Sequence, residues 1–305
     1  MQWFLIALIT PVSHSIANFV DKILLSKYFS NFSLYVFMIY SAITSIILLP
    51  IFLIFGGTGI LQVPFYDIAI LTIAGICEAG AIYFYLVALN KEDASVVVPF
   101  FQLIPVASFI LSRIILGETL STSQMIGSLV IISGAAILSI EIEEGKKIRF
   151  RRYVVLSMVA MAVLMAFAGV LFKFVALSNN FWLSNFWETF GFALFGTIVF
   201  FIKKRDRNVF FDSIKMHKSE IILSVMLSEI FTLGGNVALN YAFLLAPIAL
   251  ARTVEGYQPI FVLIFGIIIT KMFPKVLQEK THWKHLVPKI LAILIIFIGS
   301  YLILK

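Results

Sequence analysis

Charge is the first thing this 305-residue chain lacks: Asp, Glu, Lys and Arg make up 13% of it, against about 25% in a soluble globular domain. In their place stand apolar and aromatic residues, 61% of the chain with 31 phenylalanines, and the mean hydropathy is +1.04. That composition belongs to a membrane protein. Cysteine is scarcer still. Cys77 stands alone inside an apolar run, which excludes an intrachain disulfide and a thiolate metal site and leaves the redox compartment open. There is no phosphate-cradling glycine loop of the Walker type, which argues against an ATP-driven pump, and no His/Cys/Asp spacing suited to a metal. With no catalytic constellation and no cofactor motif, an enzyme is not expected. Nor does any Lys or Arg precede the first apolar core, whose pattern continues through Phe19 and Val20 to Leu25. This end reads as a membrane helix rather than a signal peptide.

The charges that are present lean one way, 23 Lys and Arg against 16 Asp and Glu, for a net +7. In a soluble protein that excess would raise nucleic acid as a partner. In a membrane protein it has another explanation, since anionic lipid and the insertion machinery both retain Lys and Arg on one side.

A spanning helix needs about 20 mostly apolar residues. Ten such runs follow one another at 2–22, 33–56, 67–89, 93–116, 122–141, 152–178, 181–202, 219–244, 247–270 and 285–304. The breaks carry turn and charge chemistry: Gly56-Gly57-Thr58-Gly59, Asn90-Lys91-Glu92-Asp93, Gly117-Glu118, the stretch 141–152, Asn179-Asn180 and Lys203 to Arg207. Runs three and four, and eight and nine, are separated by so few residues that each pair must be an antiparallel hairpin.

Sliding the chain against itself by 154 residues places Ala88 on Ala242, Pro105 on Pro259, Ile110 on Ile264 and Ile114 on Ile268 without a gap. Lys22 and Lys173 match at a similar offset. Two five-helix units are expected, 1–145 and 146–305. Because five is odd, the second unit enters the membrane in the opposite sense, and inverted repeats of this kind hold their substrate at the interface near the midplane. The expected fold class is an all-α membrane protein of ten transmembrane helices in two inverted five-helix repeats.

The segment from Tyr85 to Gly134 carries Ala88, Val98-Pro99, Pro105, Gly117-Glu118, Ile126-Gly127 and Gly134. It resembles one repeat of the EamA-type drug/metabolite transporter superfamily. A degenerate second copy runs from Ala242 through Pro259 to Gly299, with Lys271-Met272 in place of the Gly-Glu pair. The resemblance covers the whole chain at the level of ten helices in two repeats. It implies a solute exporter with both termini inside, and leaves the substrate open, because such proteins export amino acids, drugs and sugars or carry nucleotide sugars.

Charge placement implies the opposite orientation. Apart from Arg113, Lys173, Arg252 and Lys305, every Lys and Arg lies in or beside a loop that follows an odd-numbered run. The positive-inside rule makes those loops cytoplasmic and both termini external.

Ionisable residues at depth are the informative ones, since each costs about 2.5–3.5 kcal/mol at a helix centre on insertion scales. Glu78, Glu188, Glu229, Arg252 and Glu255 are such residues, and they must face protein, water or one another. Arg252 and Glu255, three apart on one helix face, form either a structural ion pair or a clamp in which Arg252 meets a carboxylate and an acid meets an amine. Their aligned positions in the first repeat are Val98 and Phe101, so the fold does not require them. Glu78 and Glu229 occupy nearly equivalent places in the two halves, about one turn apart, and are candidates for proton coupling or for protonated packing. Around these lie His14 and Asn18, which share a face four residues apart, with Gln102, Trp187, Asn236, Asn240, Tyr257 and Gln258. His14 is either a packing partner or a substrate contact. Pro105 and Pro259, and with them Pro11 and Pro99, are expected to kink helices and serve as hinges.

The function expected is a secondary transporter of a small polar or amphipathic metabolite such as an amino acid. It would work by alternating access, outward and proton-coupled, as a multi-pass protein of the plasma membrane. Its partners would be the solute, protons and membrane lipid, with no nucleic acid, no metal and no cofactor, and the oligomeric state is left open. Two rivals remain: an intramembrane lipid carrier or flippase subunit, and a non-transporting membrane interaction protein.

Overall fold

Backbone groups in hydrocarbon have no water to bond, and apolar runs of this length satisfy them internally as α-helices. A computed structural model describes residues 1–27, 33–57, 59–91, 97–139, 152–272 and 283–305. It is 91% helical, with no strand among those residues. Thr58, Glu92-Asp93, Lys146, Lys147, Arg149, Arg151, Lys275 and Lys280 lie outside them, as does the expected boundary at 145–146.

The helices are α1 (Gln2–Ala7), α2 (Ile9–Lys27), α3 (Leu34–Gly56), α4 (Phe65–Leu89), α5 (Leu103–Leu116), α6 (Thr122–Ser139), α7 (Arg152–Ala176), α8 (Phe181–Ile202), α9 (Lys204–Leu245), α10 (Ile248–Val254), α11 (Gln258–Met272) and α12 (Trp283–Leu304). Among the described residues, seven segments are long and apolar enough to cross a membrane: 2–20, 34–56, 65–89, 152–176, 181–202, 222–245 and 248–268. Shorter apolar helices at 100–116, 122–137 and 290–304 occupy the other three expected runs. The chain is an integral multi-pass membrane protein.

Local chemistry sets several ends. The Asn180 side chain caps α8 by accepting from the N–H groups of Trp182 and Leu183, and Ser33 caps α3 through Tyr35. Gly117 closes α5 in the left-handed region at φ 71°, where a side chain would be strained.

Five expectations change. The first run is two helices meeting at Leu8, and α5 is preceded by a 3-10 turn at Val98–Gln102. The ninth run is interrupted by a 3-10 turn at Glu255–Tyr257. Apolar periodicity cannot register such breaks, because a tightened turn changes the hydrogen-bond pattern and requires no particular polarity. Lys203 to Arg207 is a one-residue joint rather than a loop: Lys203 alone leaves helical geometry (φ −92°, ψ 70°), and α9 runs for 42 residues from Lys204. Lys and Arg are good helix formers, and Asp206 in the first turn complements the helix dipole. The prolines move from mid-helix to helix starts. Pro105 is the third residue of α5 and Pro259 the second of α11, where a missing N–H breaks no helical bond.

Helices α6 and α12 pack together, as do α3 and α8, α4 and α7, α4 and α8, and α2 and α9. Small residues permit the close approaches, since helices in lipid associate through packing rather than through exclusion from water. A Cβ on Gly127 would lie 2.7 Å from the Gly299 carbonyl oxygen, and one on Gly299 equally close to that of Gly127. Between α4 and α8 the contact is tighter. A Cβ on Gly75 would meet the Glu188 carbonyl oxygen at 1.9 Å, and one on Gly191 that of Thr72 at 2.1 Å. Each glycine is three residues from an acid, Glu78 on α4 and Glu188 on α8, so this packing also brings the two carboxyls to the same level.

Candidate solute-binding site

Five helices place their polar residues on one another in the centre of the bundle. On α9, Asn236 and Asn240 lie one turn apart and point to different partners. Asn236 donates from Nδ2 to Glu78 Oε1 at 2.8 Å, and its Oδ1 is 3.1 Å from His14 Nε2. This joins α2, α9 and α4 in one chain. Asn240 donates to Glu188 Oε2 at 2.7 Å and to Asn185 Oδ1 at 3.0 Å, tying α9 to α8. Gly235 makes room for the histidine, since a Cβ there would fall 2.9 Å from His14 Cδ2.

Arg252 lies in the last turn of α10, just before the 3-10 turn that carries Glu255. It donates from Nη1 to Glu255 Oε2 at 3.1 Å and from Nη2 to the Met165 carbonyl of α7 at 3.4 Å, with its guanidinium 5.2 Å from the centre of the Phe243 ring. The residue is 8% exposed, yet among the described residues its Nε–H is buried without a partner, as is the Trp187 indole N–H. Leaving a buried donor unpaired costs about 1–3 kcal/mol, more for a charged group. Glu78, Glu188, Glu255, Arg252 and His14 all lie within electrostatic range of others in this group.

The other expected site residues divide. Gln102, in the 3-10 turn before α5, faces Gly256 with its Oε1 3.7 Å from where a Cβ would stand. The backbone carbonyl of Gln258 accepts from Ser15. Glu229 is held by Ser45 of α3, whose hydroxyl donates to Oε1 at 3.1 Å; it lies seven residues before Asn236, about 10 Å along α9. Tyr257 directs its hydroxyl to Ser300 of α12 and its ring to Phe4 and Phe297. Asn18 is exposed. Trp187 packs edge to face with Phe186 and Phe190.

Sequence reading missed Asn185, whose carbonyl oxygen completes the Asn240 bonds, and the pairing of Lys173 with Glu118. An asparagine at depth is itself a signal, because its amide must find partners. Met165 offers none, since it takes part through its backbone. Among the described residues, no group of three His, Cys, Asp or Glu side chains could hold a metal ion.

A cluster of this kind, one buried and two half-buried carboxyls with one buried guanidinium in a multi-pass bundle, is suited to binding a small polar solute. Residues 1–140 match the EamA-like transporter family. Members of that family are membrane transporters of small solutes rather than enzymes. A crystal structure of another protein aligns with 99% of this chain and 96% of its own length, at a TM-score of 0.70 and 15% sequence identity, which is a likeness of fold. None of the curated proteins matches the chain. Within the EamA-like segment lie His14, Asn18, Glu78 and Gln102; Glu188, Asn236, Arg252 and Glu255 come from the remainder.

Proposed function

We propose that the protein is a proton-coupled secondary transporter of small amphipathic metabolites that carry both a carboxylate and an amine, such as amino acids. It works by alternating access in the plasma membrane and moves its solute outward. The single observation that carries the solute class is Arg252, a buried guanidinium with two of its nitrogens engaged and, among the described residues, no partner for its Nε–H. A carboxylate reaching that site gains a charge-assisted bond. The amine then has Glu255, Glu78 and Glu188 near by. His14, Gln102, Trp187 and Asn236 line the same group of elements, and Asn18, Tyr257 and Gln258 complete the proposed binding set.

Packing supports two inverted repeats, 1–145 and 146–305. Replacing each apolar run by its counterpart five runs away turns the α4–α7 pair into α9–α2, α4–α8 into α9–α3, and α5–α7 into α11–α2, while α6–α12 and α3–α8 map onto themselves. The 3-10 turns before α5 and α11 are related in the same way and meet the site. Discontinuous helices at a repeat interface are the elements on which alternating access acts. Pro105 and Pro259, just beyond these turns, hold the following helices rigid so that bending is confined to the joints.

Proton coupling is assigned to Glu78 and Glu229, one acid in each half. Orientation follows the charged loops, with both termini external.

A thermal-shift screen of the purified protein tests the solute class. A ligand selective for the folded state raises stability with the logarithm of its concentration over Kd. Amino acids are expected to raise Tm for the wild type and not for Arg252→Gln. Shifts by amines lacking a carboxylate, equal in both proteins, would refute the assignment.

A further inference from the structure

The Gly117-Glu118 pair has no part in the central cluster, yet both oxygens of Glu118 are occupied. Oε1 accepts from Lys173 Nζ of α7 at 2.5 Å, and Oε2 from the backbone N–H of Ile248, the first residue of α10, at 2.9 Å. The same ammonium donates to the Ala246 carbonyl at 2.8 Å. The two side chains are 12% and 10% exposed. Three bonds thus fasten the α5–α6 connection, the last turns of α7 and the turn between α9 and α10.

Position gives this tie its meaning. Arg252 is one turn, about 6 Å, beyond Ile248 on α10. Met165, whose carbonyl accepts from Arg252, lies about 12 Å before Lys173 on α7. The tie therefore spans the two elements that hold Arg252, at the end of the bundle where α5, α7, α9 and α12 terminate. While it is made, α7 and α10 stay together above the site.

We propose that the Glu118–Lys173 pair is a gate, closing the Arg252 site toward the face where α12 ends and opening it when α7 parts from α10. The proposal rests on the transporter reading above. An ion pair suits this task better than an apolar contact. Desolvation offsets much of its attraction when closed, and water entering the opened passage rehydrates both charges. The residue equivalent to Glu118 in the second repeat is Met272, which has no carboxylate.

Two measurements test the gate in a Cys77→Ser background. In the first, Glu118→Cys and Lys173→Cys are joined in proteoliposomes by a reducible bifunctional thiosulfonate, and uptake of a labelled amino-acid mixture is followed. Crosslinking is expected to cut uptake at least tenfold and reduction to restore it; uptake that persists in the crosslinked protein would overturn the gate. In the second, a single cysteine at Ala251, buried between the tie and Arg252, is labelled with a membrane-impermeant maleimide from the α12 face. Glu118→Gln, or Lys173→Gln where that variant is unstable, is expected to raise the labelling rate at least tenfold. An unchanged rate in a folded variant overturns the gate. A wild type that transports none of the mixture counts against the transport reading, and the labelling then decides the gate alone.

Discussion

Gly75 of α4 lies so close to Glu188 of α8 that a Cβ on the glycine would stand 1.9 Å from the glutamate carbonyl oxygen. The contact sets the spacing of the helices that carry Glu78 and Glu188. Gly75→Ala and Gly191→Ala are each expected to destabilise the protein by about 1–3 kcal/mol, as overpacking does, read as a lower Tm in detergent. Gly80→Ala serves as the control. Its Cβ would stand 3.4 Å from Leu164, an ordinary contact, and alanine's helix propensity should leave stability unchanged or slightly higher.

Arg252 and Glu255 separate binding from architecture. As a clamp, Arg252→Gln weakens solute binding at least tenfold while the protein still inserts and folds. As a structural ion pair alone, the charges would behave differently: each single change leaves a buried charge unpaired, and removing both restores most of the loss. Equilibrium binding to Arg252→Gln, Glu255→Gln and the double variant distinguishes the two. The double variant is expected to bind no better than Arg252→Gln, and recovery to near wild type would contradict the clamp.

Glu78 and Glu229 carry the coupling in this account. Replacement by Gln keeps the size and much of the hydrogen bonding, including the donors Asn236 and Ser45, but removes the proton site. Either variant is expected to lose accumulation driven by a pH gradient and to retain binding or passive exchange. If both still concentrate solute with wild-type pH dependence, neither carries the proton.

Orientation is checked with single cysteines in the Cys77→Ser background. A cysteine at Lys204 should be labelled from the cytoplasmic side alone. Labelling from outside intact cells would reverse the topology drawn from the charged loops and favour the one implied by the family resemblance.

Much of the architecture was legible because lipid imposes a simple rule, that an apolar run of this length is helical, and helices lie within all ten expected runs. The break at Glu255–Tyr257 was not, since a 3-10 turn changes the hydrogen-bond register and has no polarity signature of its own. The Arg252–Glu255 pair could be read from spacing alone, because residues three apart share a face. Asn236 and Glu78 are 158 positions apart, and nothing local couples them. Lys173 showed itself as a charge at depth, but its partner Glu118 was assigned to a loop, where a carboxylate needs no explanation. Glu188 was legible as a buried acid; that it shares a level with Glu78 follows from Gly75 and Gly191, whose close packing has no signature in one chain.

The central claim is that a carboxylate-bearing solute is moved through the Arg252 site at the expense of a proton gradient. Uptake of labelled amino acids into sealed proteoliposomes with an imposed pH gradient tests it most directly. The account predicts accumulation by the wild type that collapses with the gradient and is lost in Arg252→Gln at low solute concentration. Accumulation by Arg252→Gln equal to that of the wild type, or accumulation indifferent to the gradient, would contradict it.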